Sequence, residues 1–262
     1  MTLQTKFNNS NQNGFTLVEL MLSMAFVSIL LVTIAMTIIQ MATTYNRGIT
    51  LKEVNQAARD ISDDIERSVQ SSALFTINED GSDSINLVQS KTSVNDNTVV
   101  VSGRLCLGKY TYIWNTASAI EKSYAKRARY LTSTGAVGDD VSFIKVPDTN
   151  KKYCAKDSDG ELLNQNVLYA DAKNATELLK QGDRTLRMLD FAVTSSDSTF
   201  DALSSQRLYT ISYTIGAGKL SAMEFENGIP VSCLAPDDPD SDLMYCNVQQ
   251  FKFTLRAGNT VN

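Results

Sequence analysis

From Leu20 to Asn46 the chain carries no Asp, Glu, Lys or Arg, a run of 27 uncharged residues bounded by Glu19 and Arg47. Its apolar core, Leu20 to Met41 with scattered Ser and Thr, exceeds the roughly 20 residues a helix needs to cross a hydrocarbon layer. The direct reading is a membrane span. Two other segments can look similar. A core helix of a water-soluble protein usually runs shorter, and a secretory signal expects a basic start, an apolar stretch of about 7–15 residues and a small-residue cleavage site. Here residues 1–14 are polar with one charge, Lys6, and the apolar run is too long for that pattern.

The rest of the composition removes most familiar chemistry. With no histidine in 262 residues, Ser-His-Asp and Cys-His nucleophile systems, His-ligated metals and the usual neutral-pH general base are absent. The four cysteines, Cys106, Cys154, Cys233 and Cys246, form no C-x-x-C pair, so there is no zinc ribbon or thioredoxin-type motif. Net charge is −5 with no basic run, and 23 acidic residues against 19 basic lie after position 70. That balance disfavours nucleic acid as a partner. No catalytic residue, cofactor or metal ligand is expected, and the chain is read as a non-enzyme.

The junction ahead of the apolar run is Asn13-Gly14-Phe15-Thr16-Leu17-Val18-Glu19-Leu20. With its short polar leader, Gly-Phe step, apolar tetrad and single acid before a long span, it resembles the N-terminus of type IV prepilins and pseudopilins. The resemblance implies that a membrane prepilin peptidase cuts after Gly14 on the cytoplasmic side and that the new terminus, Phe15, is N-methylated. It also implies other pilin or pseudopilin subunits as partners, with an assembly platform and an ATPase acting indirectly. Glu19 fits this picture physically. A carboxylate deep in a bilayer costs on the order of 2.5–3.5 kcal/mol unless partnered, and the freed amine of a neighbouring subunit's Phe15 would pair with it in a low-dielectric filament core. The alternative is that Glu19 sits at the headgroups, where the N-terminal end of a helix dipole favours an acid.

Beyond the span, Leu51, Val54, Ala58, Ile61, Ile65 and Val69 recur at helical spacing with charged residues between them, which predicts an amphipathic helix. No proline occurs from Phe15 to Val69. One helix of about 55 residues, on the order of 80 Å at 1.5 Å per residue, is therefore expected, with Gly48 its softest point. Many type IVa pilins carry a proline in the apolar half, and Ser28 to Met36 has none. The stretch ending Asp63-Asp64-Ile65-Glu66-Arg67 is similar to minor pseudopilin J and its minor-pilin relatives.

Residues 71–262 turn rich in Ser, Thr, Asn and Asp, with short β-type runs. Leu208 to Ile215 alternates with Tyr209, Ile211, Tyr213 and Ile215 on one face, and Phe251, Phe253 and Leu255 alternate likewise. Leu189 to Val193, Val99 to Val101, Tyr110 to Trp114 and Val141 to Val146 are further strand candidates. Gly216-Ala217-Gly218 predicts a hairpin turn with Leu220 to Phe225 returning. Ala117 to Tyr130 and Ala172 to Lys180 have helical composition. Tyr110, Tyr112 and Trp114 read as core, and the acid-rich loops around Asp157 and Asp237 read as solvated turns, since neither has EF-hand spacing.

An extracytoplasmic head would hold its cysteines oxidised. Four cysteines allow three pairings. Closing the Pro- and Asp-rich loop between Cys233 and Cys246 contributes about 3 kcal/mol in the chain-entropy model, which favours that pair, with Cys106 and Cys154 left for each other. Free buried cysteines are the alternative. The resemblance adds to the first pair, because pilin heads often staple a C-terminal loop.

The sequence thus predicts an α+β, pilin-like chain: a leader at 1–14, an N-terminal helix at 15–70 and a β-rich globular head at 71–262. The expected function is a structural subunit, a minor pilin, of a type IV pilus-like filament. It would be held in the cytoplasmic membrane by one span with the head outside, and then assembled into a cell-surface filament. A minor pseudopilin of a type II secretion system shares this N-terminal chemistry, and a single-span surface-anchored binding protein would be neither cleaved nor polymerised.

Overall fold

The computed structural model describes residues 15–78, 83–94, 97–179, 185–195 and 207–257. Helix α1 spans Leu17–Gln70, as expected of a stretch without proline in which leucine, methionine and alanine are common. Its C-terminus is closed by serines. Ser71 Oγ donates to the Ser68 carbonyl and Ser72 Oγ to the Val69 carbonyl, at 3.1 and 2.7 Å, so the last turn's unpaired acceptors are used. By packing, the chain divides into two units, residues 1–45 and 46–262. Within the first unit the described residues from Leu17 onward are helix, with large apolar side chains exposed throughout.

The second unit begins with the amphipathic part of α1. Val54, Ala58, Ile61, Ile65 and Val69 are all fully buried. Leu51, expected on the same stripe, is instead 40% exposed, and Thr50 is buried in its place. Both positions lie about one turn from Val54 (four residues back for Thr50, three for Leu51), and Thr50 wins because its hydroxyl is satisfied. It donates to the Asn46 carbonyl at 3.0 Å and approaches the Met244 carbonyl at 3.5 Å.

Two antiparallel sheets share the core with this helix face. The larger has strand order β1-β2-β3-β6-β7, built from Leu87–Val94, Asn97–Cys106, Tyr110–Asn115, Phe143–Pro147 and Thr176–Glu177. The second is β12-β9-β8, from Asn247–Ala257, Arg207–Ala217 and Leu186–Ser195. Small ribbons pair β4 (Arg129–Leu131) with β5 (Val137–Asp140), and β10 (Met223–Glu226) with β11 (Ile229–Cys233). This is the α+β, pilin-like architecture of a long N-terminal helix and a β-rich head.

Aromatic rings connect the two sheets. Phe191 of β8 lies 4.4 Å from Trp114 and 5.8 Å from Phe143 of the larger sheet, and 6.2 Å from Tyr213 of β9. Trp114 is accommodated by a glycine. Gly103 stands directly opposite it across the β2–β3 pair, and a Cβ there would meet the indole at 2.1 Å.

Three local expectations are corrected. After Gly218 the chain does not return along β9: Leu220–Ala222 forms one 3-10 turn, Met223–Glu226 pairs with β11, and β12 takes the edge of β9 along its full length. Gly218, at φ +97°, packs against the backbone of Tyr245 and Cys246, leaving no room for a side chain. The helix expected over Ala117 to Tyr130 stops at Glu121 as the short α2 (Ala117–Glu121), because Ser123 adopts φ +54° and Tyr130 joins β4. Of the helix expected over Ala172 to Lys180, only Ala172 is helical, as the last residue of α3 (Tyr169–Ala172), and Thr176–Glu177 adds to the larger sheet as β7. Lys180 lies outside the described residues.

Candidate functional site

The N-terminal segment is a helix start built from a cap. Thr16 precedes α1, and its side-chain Oγ1 accepts the Glu19 N–H at 3.2 Å while its carbonyl accepts the N–H groups of Glu19 and Leu20. Thr-x-x-Glu is the sequence pattern of a capping box, in which the acid at the third helical position complements the helix's positive end. Glu19 is among the residues expected from sequence and Thr16 is not, although the Thr-x-x-Glu spacing is legible there. Phe15 is 78% exposed, and Glu19 makes no ion pair among the described residues. Gly14 and the leader before it lie outside the described residues.

From Leu17 onward the helix is suited to lipid. It is long and apolar enough to cross a membrane, with a mean hydropathy of 2.5 over its most apolar window and none of that window buried by the protein. The hydroxyls that interrupt it are consumed internally. Ser23, Ser28, Thr33 and Thr37 each donate to a carbonyl three or four residues back, at 2.8–2.9 Å, and Thr43 and Thr44 do so at 3.0 Å. In hydrocarbon an unsatisfied hydroxyl costs several kcal/mol, by roughly the same reckoning as an unpaired backbone group. The serines and threonines are therefore compatible with a span where Asn or Asp would not be.

In the head, three tyrosines from the sheets hold backbone carbonyls at and beyond the helix. Tyr213 donates to the Ala58 carbonyl at 2.6 Å and sits 2.6 Å from Ser62 Oγ. Tyr209, stacked on Phe75, hydrogen-bonds the Phe75 carbonyl just past the helix. Tyr112 donates to Asp64 Oδ2 at 2.7 Å and lies 2.8 Å from Ser68 Oγ. The other oxygen of Asp64 pairs with Lys145 of β6 at 3.0 Å, and the Lys145 ammonium lies 4.2 Å above the Tyr110 ring. Burial pushes the Tyr112 phenol well above its ordinary range and raises Tyr213 to about 12. These side chains fix the amphipathic part of α1 to both sheets by polar as well as apolar contacts.

The cysteines close two loops within the head. Cys106 joins Cys154, linking the end of β2 to the loop after β6, and Cys233 joins Cys246, clasping the acid-rich segment between β11 and β12. Asp157 Oδ1 accepts the N–H groups of Asp159 and Glu161, and Asp238 Oδ1 that of Asp240, so both acid-rich segments are side-chain-supported turns. Among the described residues no group of His, Cys, Asp or Glu could hold a metal ion.

Residues 9–39 match the family model of the prokaryotic N-terminal methylation motif. The match embraces Gly14, Phe15, the Thr16 cap, Glu19 and most of the apolar run, and it supports a pilin-like or pseudopilin-like subunit. No curated protein and no solved structure matches the chain.

Proposed function

We propose that this chain is a minor structural subunit of a type IV pilus-like filament, inserted in the cytoplasmic membrane as a prepilin and matured by cleavage between Gly14 and Phe15. The carrying observation is the methylation motif at residues 9–39, falling on a capped helix whose polar side chains are internally satisfied. After cleavage, the Phe15 amine of a neighbouring subunit supplies a cation to Glu19, which makes no ion pair among the described residues, and subunits stack through their apolar helices with head outward. The leader at 1–14, the helix at 15–70 and the head at 71–262 then divide the work into targeting, polymerisation and display. The peptidase acts once, while the platform and ATPase drive assembly, and the subunit itself performs no catalysis.

The resemblance of the stretch ending Asp63 to Arg67 to minor pseudopilin J and its minor-pilin relatives supports a minor subunit, and the second reading is a minor pseudopilin of a type II secretion system. Both share the same N-terminal processing. Intact mass and N-terminal sequencing of protein from membrane and sheared-surface fractions test the common part: a chain starting at N-methyl-Phe15 in both is expected. A chain starting at Met1, or cut after the apolar run, overturns the reading in favour of an anchored or secreted β-domain. Glu19→Ala is expected to stay in the membrane while its incorporation into filaments falls, and unchanged incorporation would remove the role given to Glu19.

A further inference from the structure

The outer face of the β12-β9-β8 sheet, turned away from the core, carries a row of polar side chains that the protein itself does not use. Gln250, Thr214 and Asp190 are directly opposed across the three strands. A β-bulge between Met188 and Asp190 sets this register and brings Asp190 onto the outer face while Phe191 enters the core. The β10–β11 ribbon covers the row from the side, leaving Thr214 only 7% exposed. Between ribbon and sheet lies a cavity of about 370 Å³, lined also by Glu226, Asn227 and residues 229–231.

The lining is chemically one-sided. Among the described residues it contains two carboxylates, Asp190 and Glu226, two amides and a hydroxyl, and no Lys or Arg. Burial pushes the Asp190 carboxyl up, the neighbouring Phe191 N–H opposes the shift in part, and no cation among the described residues does so. The side chains of Thr214, Glu226, Asn227 and Gln250 make no hydrogen bond with other described residues. Of the basic residues nearby, Arg187, one row away on β8, pairs with Glu121 at 2.6 Å, and Lys252, one row the other way, is not part of the described lining. Ile229, Pro230 and Val231 of β11 complete the lining as its apolar part.

We infer that this cavity binds a guanidinium group, with Asp190 as the forked acceptor, Thr214 and Gln250 as flanking acceptors and the apolar lining at residues 229–231 receiving the stem. A guanidinium presents five N–H donors in a planar fork that matches a carboxylate bidentately, and its stem packs on apolar surface. An ammonium offers a point charge and would leave acceptors in the row unused. The same chemistry is carried by a free guanidino compound and by an arginine side chain of another polypeptide. The inference is independent of filament assembly.

The test is isothermal titration of the full-length chain in detergent micelles with three probes: agmatine, N-acetyl-arginine-methylamide and the neutral isostere N-acetyl-citrulline-methylamide. Saturable binding of at least one guanidinium probe, with citrulline at least tenfold weaker, is expected. Asp190→Asn should weaken the guanidinium probe at least tenfold while both disulfides and the Trp114 emission stay native. Agmatine binding tenfold tighter than the arginine amide identifies a free ligand, and comparable or tighter arginine amide binding identifies a polypeptide side chain. If Asp190→Asn does not fold, Glu226→Gln on the exposed ribbon replaces it, with at least a threefold loss expected. No saturable binding of either guanidinium probe, equal binding of citrulline, or unchanged binding by the variant overturns the proposal.

Discussion

Tyr112→Phe removes one oxygen from the polar junction between the amphipathic part of α1 and the larger sheet. The lost hydroxyl donates to the Asp64 carboxylate at 2.7 Å and neighbours Ser68 Oγ at 2.8 Å. A hydrogen bond to a charged group contributes roughly 1.5–3 kcal/mol. The Asp64 side chain keeps 22% of its exposure and its ion pair with Lys145, so the cost falls at the low end, about 1.5–2 kcal/mol. Tyr213→Phe removes bonds to the Ala58 carbonyl and Ser62, both neutral partners, and should cost less, about 1 kcal/mol. Urea unfolding of the full chain in micelles reads this through the single tryptophan, Trp114, which is fully buried and 4.4 Å from Phe191. The same variants carry a pH signature. Burial holds the Tyr112, Tyr153 and Tyr213 phenols above their ordinary value, Tyr213 at about 12. Above about pH 10 an unfolded chain ionises its tyrosines while the folded one keeps these protonated. The unfolded state then binds fewer protons, and stability falls as pH rises, by up to about 1.4 kcal/mol per pH unit for each such group. Tyr112→Phe should flatten that alkaline decline. Equal costs for the two variants, both below about 0.5 kcal/mol with an unchanged alkaline slope, would refute the junction as an energetic element.

Removing the Cys106–Cys154 link by double serine substitution should lower head stability by about 4 kcal/mol, and removing Cys233–Cys246 by about 3, because their separations are 48 and 13 residues; reversal of that order in urea midpoints would show native-state contacts outweighing chain entropy. Gly103→Ala places a Cβ at 2.1 Å from the Trp114 ring and is expected to destabilise by about 1–3 kcal/mol with a shift in Trp114 emission. Thr16→Ala removes the side-chain cap from Glu19 N–H and should cost the helix start about 1 kcal/mol, seen as faster amide exchange at residues 17–20 with the head's unfolding midpoint unchanged.

The helix and the alternating strands were legible because their signals are local. Absence of proline over 15–69 and the run without charges define α1, and the period-two pattern of Leu208 to Ile215 and Phe251 to Leu255 gave both strands and their core faces. Thr16 was equally local, and the Thr-x-x-Glu spacing identifies it. What was not legible depends on contacts distant in sequence. Tyr112 meets Asp64 from 48 residues away and Lys145 meets it from 81, and no motif announces either. The misread return of Leu220 to Phe225 has the same origin. Locally the glycines after Ile215 promise a hairpin, but β12 competes for the same edge of β9 and forms a full-length pair. The helical composition of Ala117 to Tyr130 failed for a related reason, since Tyr130 and Leu131 are drawn into a ribbon and into contact with Val167. The cavity beside Asp190 was illegible altogether, because the bulge that turns its carboxylate outward is a property of strand pairing.

Two unrelated boundaries coincide in α1, and their agreement explains how one helix serves two solvents. After Glu19, charge is absent up to Asn46 and resumes at Arg47; packing contacts divide the chain between residues 45 and 46. Between Glu19 and that point polarity is limited to hydroxyls that turn back on their own helix, together with Gln40 and the rim residues Tyr45 and Asn46. After it polarity is spent outward: Ser62 meets Tyr213, Asp64 meets Tyr112 and Lys145, and Ser68 meets Tyr112. A hydroxyl bonded within its own helix costs little in lipid and offers nothing to a sheet, whereas a carboxylate is costly in lipid and holds a sheet well. The distribution of Ser and Thr against Asp and Glu along α1 therefore follows from which surroundings each segment must satisfy. Exchanging the two types, as in Thr37→Asp or Asp64→Thr, should impair membrane retention in the first case and head stability in the second, each without the other.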